Sequence, residues 1–292
     1  MTANGAEPFN NMRRRDTHQN NRAMTIAKHA KRLARRIVGS VNAITHSASK
    51  ERNNVRILTY HRVNDNERDT VAVRLEDFDW HMEYLASHYP VVSLLDAPRI
   101  ISNKEKRTYV VVTFDDGYSD NFINALPILE KYGISATFFV TTAYIGTNRV
   151  FPWDVRDRVS APLMTWDNLH NLVARGHAIG AHTRNHYRLS ELDRPGLEAE
   201  ILGSGEDIEK RLGISVDTFA YPFGRLEHFN AAAEDIVKSK YKLCCTSIRG
   251  ENGAALLNLH RLRRSSVQQW WGHDDFRAEI RGAFDFIENL RH

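Results

Sequence analysis

Between residues 109 and 247 the chain alternates short apolar, β-branched runs with segments of helical length, and this alternation constrains the fold more than any other feature. Strand-like runs lie at Val110–Thr113, Ser135–Val140, Ile179–His182, Val216–Tyr221 and Leu243–Ser247. Helix-like segments stand between them at Asn121–Tyr132, from Thr165 onward, at Arg194–Leu212 and at Phe229–Lys240. Gly133 and Gly213 supply helix stops, and Thr165 is an N-cap ahead of Leu169, Leu172 and Val173. Repeated strand–helix units imply a parallel sheet covered by helices. With about 240 residues beyond the N-terminal tail, a single α/β barrel is the economical arrangement.

The strand Val110–Thr113 runs into Phe114-Asp115-Asp116-Gly117, which sets two carboxylates at its C-terminal end, where such sheets place their chemistry. Gly117 frees the chain to turn there. A second polar group, His182-Thr183-Arg184-Asn185-His186, follows another short strand-like run. A hydrolytic metal centre needs about three His or carboxylate ligands and one open position. A further carboxylate must then deprotonate water. Either motif alone is commonplace, as a turn or as two surface histidines. Their joint arrival at strand ends points to a metal hydrolase. Spacing does not say which aspartate is ligand and which is base.

Thr-Phe-Asp-Asp-Gly and His-Thr-x-x-His, in this order, resemble the first two motifs of the polysaccharide deacetylases with a NodB homology domain, the carbohydrate esterase 4 family. The resemblance spans about Val55 to Val267 and implies a distorted seven-stranded barrel. It implies Asp115 as general base and Asp116, His182 and His186 as ligands of one divalent metal. Zn²⁺ suits such ligands best, and Co²⁺, Mn²⁺ or Ni²⁺ also fit.

Two later motifs depart from the family pattern. Where many members carry Arg-x-Pro-Tyr, this chain has Ala220-Tyr221-Pro222-Phe223. Phe223 can still offer its backbone N–H to an oxyanion, and Tyr221 and Pro222 are candidate substrate contacts. The arginine that braces the base must come from elsewhere. Arg225, Arg263 and Arg264 are available, and Arg264 is preferred for its apolar-flanked setting. The family's late Leu-x-His, whose histidine protonates the leaving amine, has only Leu259-His260 near its place, which makes His260 the candidate general acid. His61, closing the strand-like Arg56–Tyr60, competes for that role and is otherwise a substrate contact. Trp153, in the aromatic excursion 144–162, is placed to stack on a sugar ring. A helix is expected at Asp274–Leu290.

The net charge of +4 conceals an uneven distribution. Residues 1–50 hold ten Lys or Arg against two acidic residues, net +8, leaving −4 for the remainder. The chain therefore divides into a basic tail, 1–50, and a catalytic domain, 51–292, with its core at about 108–267. Residues 1–21 have the composition of disorder. Residues 23–44 read as a basic amphipathic helix suited to peripheral contact with an anionic membrane. Nucleic acid is disfavoured, because that segment has no aromatic residues to stack on bases. There is no stretch with transmembrane or secretory-signal character. Cys244 and Cys245 are adjacent on a strand and face opposite sides, so no disulfide is expected, and a cytoplasmic setting is.

These features lead to a metal-dependent hydrolase that removes the acetyl group from an N-acetylated amino sugar. Its substrate is an oligo- or polysaccharide, or a nucleotide- or lipid-linked precursor. The alternatives are an O-acetyl esterase or non-sugar amidase using the same site, and a carbohydrate-binding protein whose catalysis has decayed.

Overall fold

The computed structural model describes residues 54–289 except 67, 68, 70, 104, 105, 255 and 256. The expectations for residues 1–50, including the amphipathic segment 23–44, lie outside the described residues. Seven strands frame the fold: β1 (Asn54–Tyr60), β2 (Thr108–Phe114), β3 (Thr137–Val140), β4 (Ala178–Ala181), β5 (Thr218–Ala220), β6 (Leu243–Cys245) and β7 (Ser265–Ser266). In the order β7-β1-β2-β3-β4-β5-β6 every neighbouring pair is parallel. The segment 259–266 joins the two edges. Leu262 bonds to Cys244 and Thr246 at β6, and Ser265 and Ser266 pair with Leu58 and Thr59 of β1. The sheet thus curls into the expected distorted barrel, distorted because its joining strand is two residues long.

Alternation along the strands sorts side chains between two layers. Val55, Ile57, Val111, Phe139, Ala220, Leu243, Cys245 and Leu262 belong to one buried cluster inside the curl. Their neighbours Leu58, Tyr60, Val110, Val112, Phe114, Phe138 and Val140 belong to the larger cluster shared with the helices. Following Val111 and Thr113 in steps of two reaches Asp115, so the strand's own pleat aims that carboxylate inward.

The helices start and stop where their local chemistry dictates. Thr165 and Asn168 form a reciprocal cap on α3 (Trp166–Ala174), after α1 (Leu75–His88) and α2 (Leu126–Lys131). α4 (Arg194–Leu212) is capped by Asp193 and ends at Gly213, whose φ of +67° suits glycine. α5 (Ala231–Lys240) begins at the Asn230 cap. Two expectations need correction. Residues 121–132 are not one regular helix: Asn121–Ala125 form a π-helical turn, and Pro127, lacking an N–H, interrupts the ladder at the start of α2. The expected helix 274–290 is broken into α6 (His273–Ile280) and a short turn, Phe286–Asn289, around Gly282 at φ +79°. α1 was not anticipated, although Phe78, His81, Met82 and Leu85 bury one face at helical spacing. Cys244 and Cys245 are buried free thiols, and no described helix is long and apolar enough to cross a membrane.

Gly180 shows how tightly β4 sits against its neighbours. A Cβ there lies 2.5 Å from the Phe139 ring and 2.6 Å from Thr218 Oγ1. Gly180→Ala is expected to cost about 1–3 kcal/mol through overpacking. Thermal unfolding measures this, and an unchanged midpoint would mean that Phe139 relaxes freely.

Candidate active site

Strand register delivers the functional residues to one end of the barrel. Tyr60 pairs with Phe114, and the Tyr60 carbonyl accepts the Asp115 N–H at 3.0 Å, which brings His61 alongside the acidic pair. Val140 pairs with Ala181, so His182 leaves β4 at the same level, its N–H bonded to the Val140 carbonyl at 3.1 Å. Ala220 closes β5 next to it and leads into Phe223. All of these lie at C-terminal strand ends, as the sequence leads one to expect.

The backbone then departs from ordinary conformations. Among the described residues five non-glycines have positive φ, and four of them are Asp116 at +76°, Thr183 at +62°, His186 at +59° and Phe223 at +59°. Such conformations cost of order 1–3 kcal/mol each and persist only where the surroundings enforce them. Enforcement is visible around the histidine loop. Arg184 makes a two-pronged bond to Asp207 of α4, at 2.8 Å on both prongs, and Asp207 also accepts the Thr142 hydroxyl. The Asn185 N–H and side-chain amide both donate to Glu200 of α4 at 2.7 Å, and the Thr183 hydroxyl accepts the His186 N–H.

Asp116, His182 and His186 converge. Asp116 Oδ1 lies 3.5 Å from His182 Nε2 and 3.3 Å from His186 Nε2, and the potential ligand atoms of all three lie within 4.8 Å of one another. His182 Nδ1 donates to the Ala220 carbonyl at 2.7 Å, which fixes the tautomer with its Nε2 lone pair directed at the cluster. Asp116 Oδ1 is buried with no hydrogen-bond donor of its own. An orphaned carboxylate oxygen facing two imidazole nitrogens fits a divalent cation. Burial opposes the charge on Asp116, but the two histidines outweigh it and hold its pKa well below the usual carboxylate range. Burial is also the largest influence on both histidines. It wins at His186, whose pKa is lowered, and loses at His182, where Asp116 and Asp115 raise it.

Asp115 is compensated differently. Arg264, 1% exposed, donates Nη1 to Asp115 Oδ1 at 2.8 Å and Nη2 to Oδ2 at 2.7 Å. Its Nε is anchored on the Thr246 carbonyl at 2.8 Å, and Nη1 also reaches the Thr113 hydroxyl. Burial raises the Asp115 pKa, but Arg264 first, then His182 and His61, bring it below its ordinary value. The guanidinium that pairs with Asp115 thus comes from position 264, and position 220 carries an alanine.

The remaining expectations divide. Trp153 stands beside the cluster, its ring 4.9 Å from His186 and tilted by 63°, and the half-exposed Phe223 ring lies 4.7 Å from His186. Arg225 instead pairs with Glu227 and Glu288, and Arg263 reaches the Arg249 carbonyl. Tyr221 needs correction as a substrate contact. Its side chain is buried in the core, stacked on Phe229 at 4.1 Å, because it points to the helix side of β5. Pro222 is also buried. His260 needs correction as general acid. Its Nε2 lies 3.2 Å from the Tyr241 carbonyl, ahead of β6 and at the barrel end opposite the acidic pair. Glu200 and Asp207 were missed. Their only signal is spacing along α4, which gives no hint of the distant loop they hold.

Arg264→Leu is expected to cost about 3–5 kcal/mol by stranding a buried carboxylate, measured by denaturant unfolding. The depressed Asp115 pKa means that ionised Asp115 stabilises the fold above the unfolded carboxylate pKa of about 4, and that this contribution disappears as pH falls through the lower folded value. Melting of chelator-treated protein should therefore weaken steadily on acidification from about pH 5. A flat profile would contradict the pairing.

A family model described as polysaccharide deacetylase matches residues 102–241. YxkH of Bacillus subtilis (strain 168), whose name assigns it to the polysaccharide deacetylases, is 27% identical over 217 residues, covering 72% of this chain and 71% of that one. A poly-β-1,6-N-acetyl-D-glucosamine N-deacetylase of Staphylococcus aureus (strain N315) is 24% identical over 191 residues, covering 59% of this chain and 65% of that one. Among solved structures, the Streptococcus pyogenes deacetylase PplD in complex with acetate superposes with a TM-score of 0.63 at 26% identity, over 75% of this chain and 94% of that one.

Proposed function

The chain belongs to the polysaccharide deacetylase family, hydrolases of carbon–nitrogen bonds other than peptide bonds, and we propose that it removes acetyl groups from an N-acetylated amino sugar in a polymer or its precursor. The observation that carries this reading is the division of labour between the adjacent aspartates, one paired with Arg264 and the other facing two imidazoles. A decayed binding protein has no use for an inward carboxylate held ionised beside a set of metal-ligating side chains. The N-deacetylase named in Staphylococcus aureus and the acetate held by PplD support the choice of reaction.

We assign Asp116, His182 and His186 to a divalent cation, Zn²⁺ by donor preference. When bound, it supplies a Lewis acid that acidifies water and polarises the acetamide carbonyl. Asp115, ionised and oriented by Arg264, accepts the proton of the attacking water. The Phe223 N–H donates to the developing oxyanion. With His260 at the far end, His61 takes the general-acid role and protonates the departing nitrogen. It stands close enough to Asp115 and Asp116 to bias both carboxylates toward the charged form. The C–N bond breaks, and acetate and a free amine leave.

Acetate release from N-acetylglucosamine oligomers, measured with and without chelator, tests this function. Chelator-sensitive release is expected. No release from any oligomer or nucleotide sugar at full metal occupancy would overturn it. Asp115→Asn should keep the metal and lose at least about a hundredfold in turnover. His182→Ala should lose the metal itself, and unchanged metal content in that variant would overturn the ligand assignment.

A further inference from the structure

Beside the metal ligands, and outside the roles assigned above, lies a buried polar network with Arg62 at its centre. Arg62 donates Nη2 to Asp69 at 2.6 Å and Nη1 to Asp154, and its guanidinium lies 4.6 Å above the Tyr118 ring. The Tyr118 hydroxyl donates to Asp154 at 2.9 Å and accepts the Trp153 indole N–H at 2.9 Å. Arg62, Asp69, Tyr118 and Asp154 are all buried. Three segments distant in sequence meet here: the loop after β1, the turn after the acidic pair and the aromatic excursion 144–162.

The network's cost shows what it is for. Two buried carboxylates share one guanidinium, and such clusters rarely add stability over an apolar filling of the same volume. What they fix is geometry. Trp153 sits in the first turn of the six-residue helix Pro152–Asp157, too short to hold its own shape. One ring face is stacked on Phe151 at 4.5 Å, and Phe151 in turn lies on Tyr144 at 4.1 Å. The ring remains partly exposed, with His186 4.9 Å away. The indole N–H, tied through Tyr118 to Asp154 and so to Arg62, sets the remaining degree of freedom, the ring's rotation within its stack.

We propose that Arg62 is a positioning residue for substrate: through Asp154 and Tyr118 it locks the Trp153 ring beside His186 as the wall against which the N-acetylated sugar binds. The proposal rests on the deacetylase reading above and adds the device that orients the sugar. Arg62 and Asp154 touch neither the reacting atoms nor the metal ligands, so their effect is on binding.

Three variants of the full-length, metal-loaded protein test this. Tyr118→Phe removes a single oxygen, Asp154→Ala breaks the link to Arg62, and Asp154→Asn keeps a polar link to both partners, its Oδ1 accepting from Arg62 and its Nδ2 donating to the Tyr118 oxygen. With an N-acetylglucosamine tetramer, Tyr118→Phe and Asp154→Ala should raise KM about tenfold or more while kcat stays within about threefold, and Asp154→Asn should restore KM. Metal content should remain at the wild-type value in all three. Trp153 emission, isolated as the difference from Trp153→Phe, should shift in the first two variants and not in the third. This readout needs no turnover, so it still judges the positioning if the tetramer is not hydrolysed and the deacetylase reading itself fails. If Asp154→Ala does not fold, Tyr118→Phe carries the test alone. Unchanged KM and emission in folded Tyr118→Phe would overturn the proposal, as would a loss of kcat and metal with KM intact.

Discussion

Two adjacent carboxylates, 3% and 4% exposed, cannot both remain charged at the end of a buried strand without separate compensation, and the site is organised around how each obtains it. The pleat of β2 turns Asp115 into the barrel, where a guanidinium from 149 residues downstream binds both its oxygens. The left-handed backbone at Asp116 turns the second carboxylate out toward two imidazoles. That separation suits one aspartate to the base role and the other to the ligand role proposed above. The same left-handed region recurs at Thr183, His186 and Phe223, and α4 holds the histidine loop through Asp207 and Glu200.

Barrel closure and the acidic pair meet in a single segment. Residues 259–266 join β6 to β1, and Arg264 lies within them. Above the apolar layer of Val111, Phe139 and Leu262, Thr59 and Thr113 form a hydroxyl layer at 2.9 Å, and Arg264 with Asp115 lies above that. Polarity thus rises toward the open end in steps, with the Arg264 guanidinium donating to the Thr113 hydroxyl below it. The guanidinium beside Asp115 can come from the segment before β7 in place of the last residue of β5 because both lie at the same end of the curl.

Much of this was legible in the sequence where information is local. Gly213, Asp193 and Thr165 act through their own backbone, so the ends of α3 and α4 follow from neighbouring residues. The acidic pair and the histidine motif are short, and strand periodicity places both. Contacts across long separations were not legible. Arg264 was preferred over Arg225 and Arg263 only by its apolar flanks, whereas its bond to Asp115 depends on register. His260 was misplaced because proximity in sequence to the joining segment does not reveal which end of the barrel it occupies. Tyr221 was misread because the pleat of β5, not its motif, decides which way its ring points. Arg62 looked like any arginine after a strand, and its two carboxylates lie 7 and 92 residues away.

The proposed joining of Asp116, His182 and His186 in one cation site can be measured by X-ray absorption at the zinc edge of the zinc-loaded protein. A shell of nitrogen and oxygen at about 2.0–2.2 Å is expected, with the outer-shell scattering of two imidazoles. A sulfur shell near about 2.3 Å, or an all-oxygen shell without imidazole scattering, would contradict it.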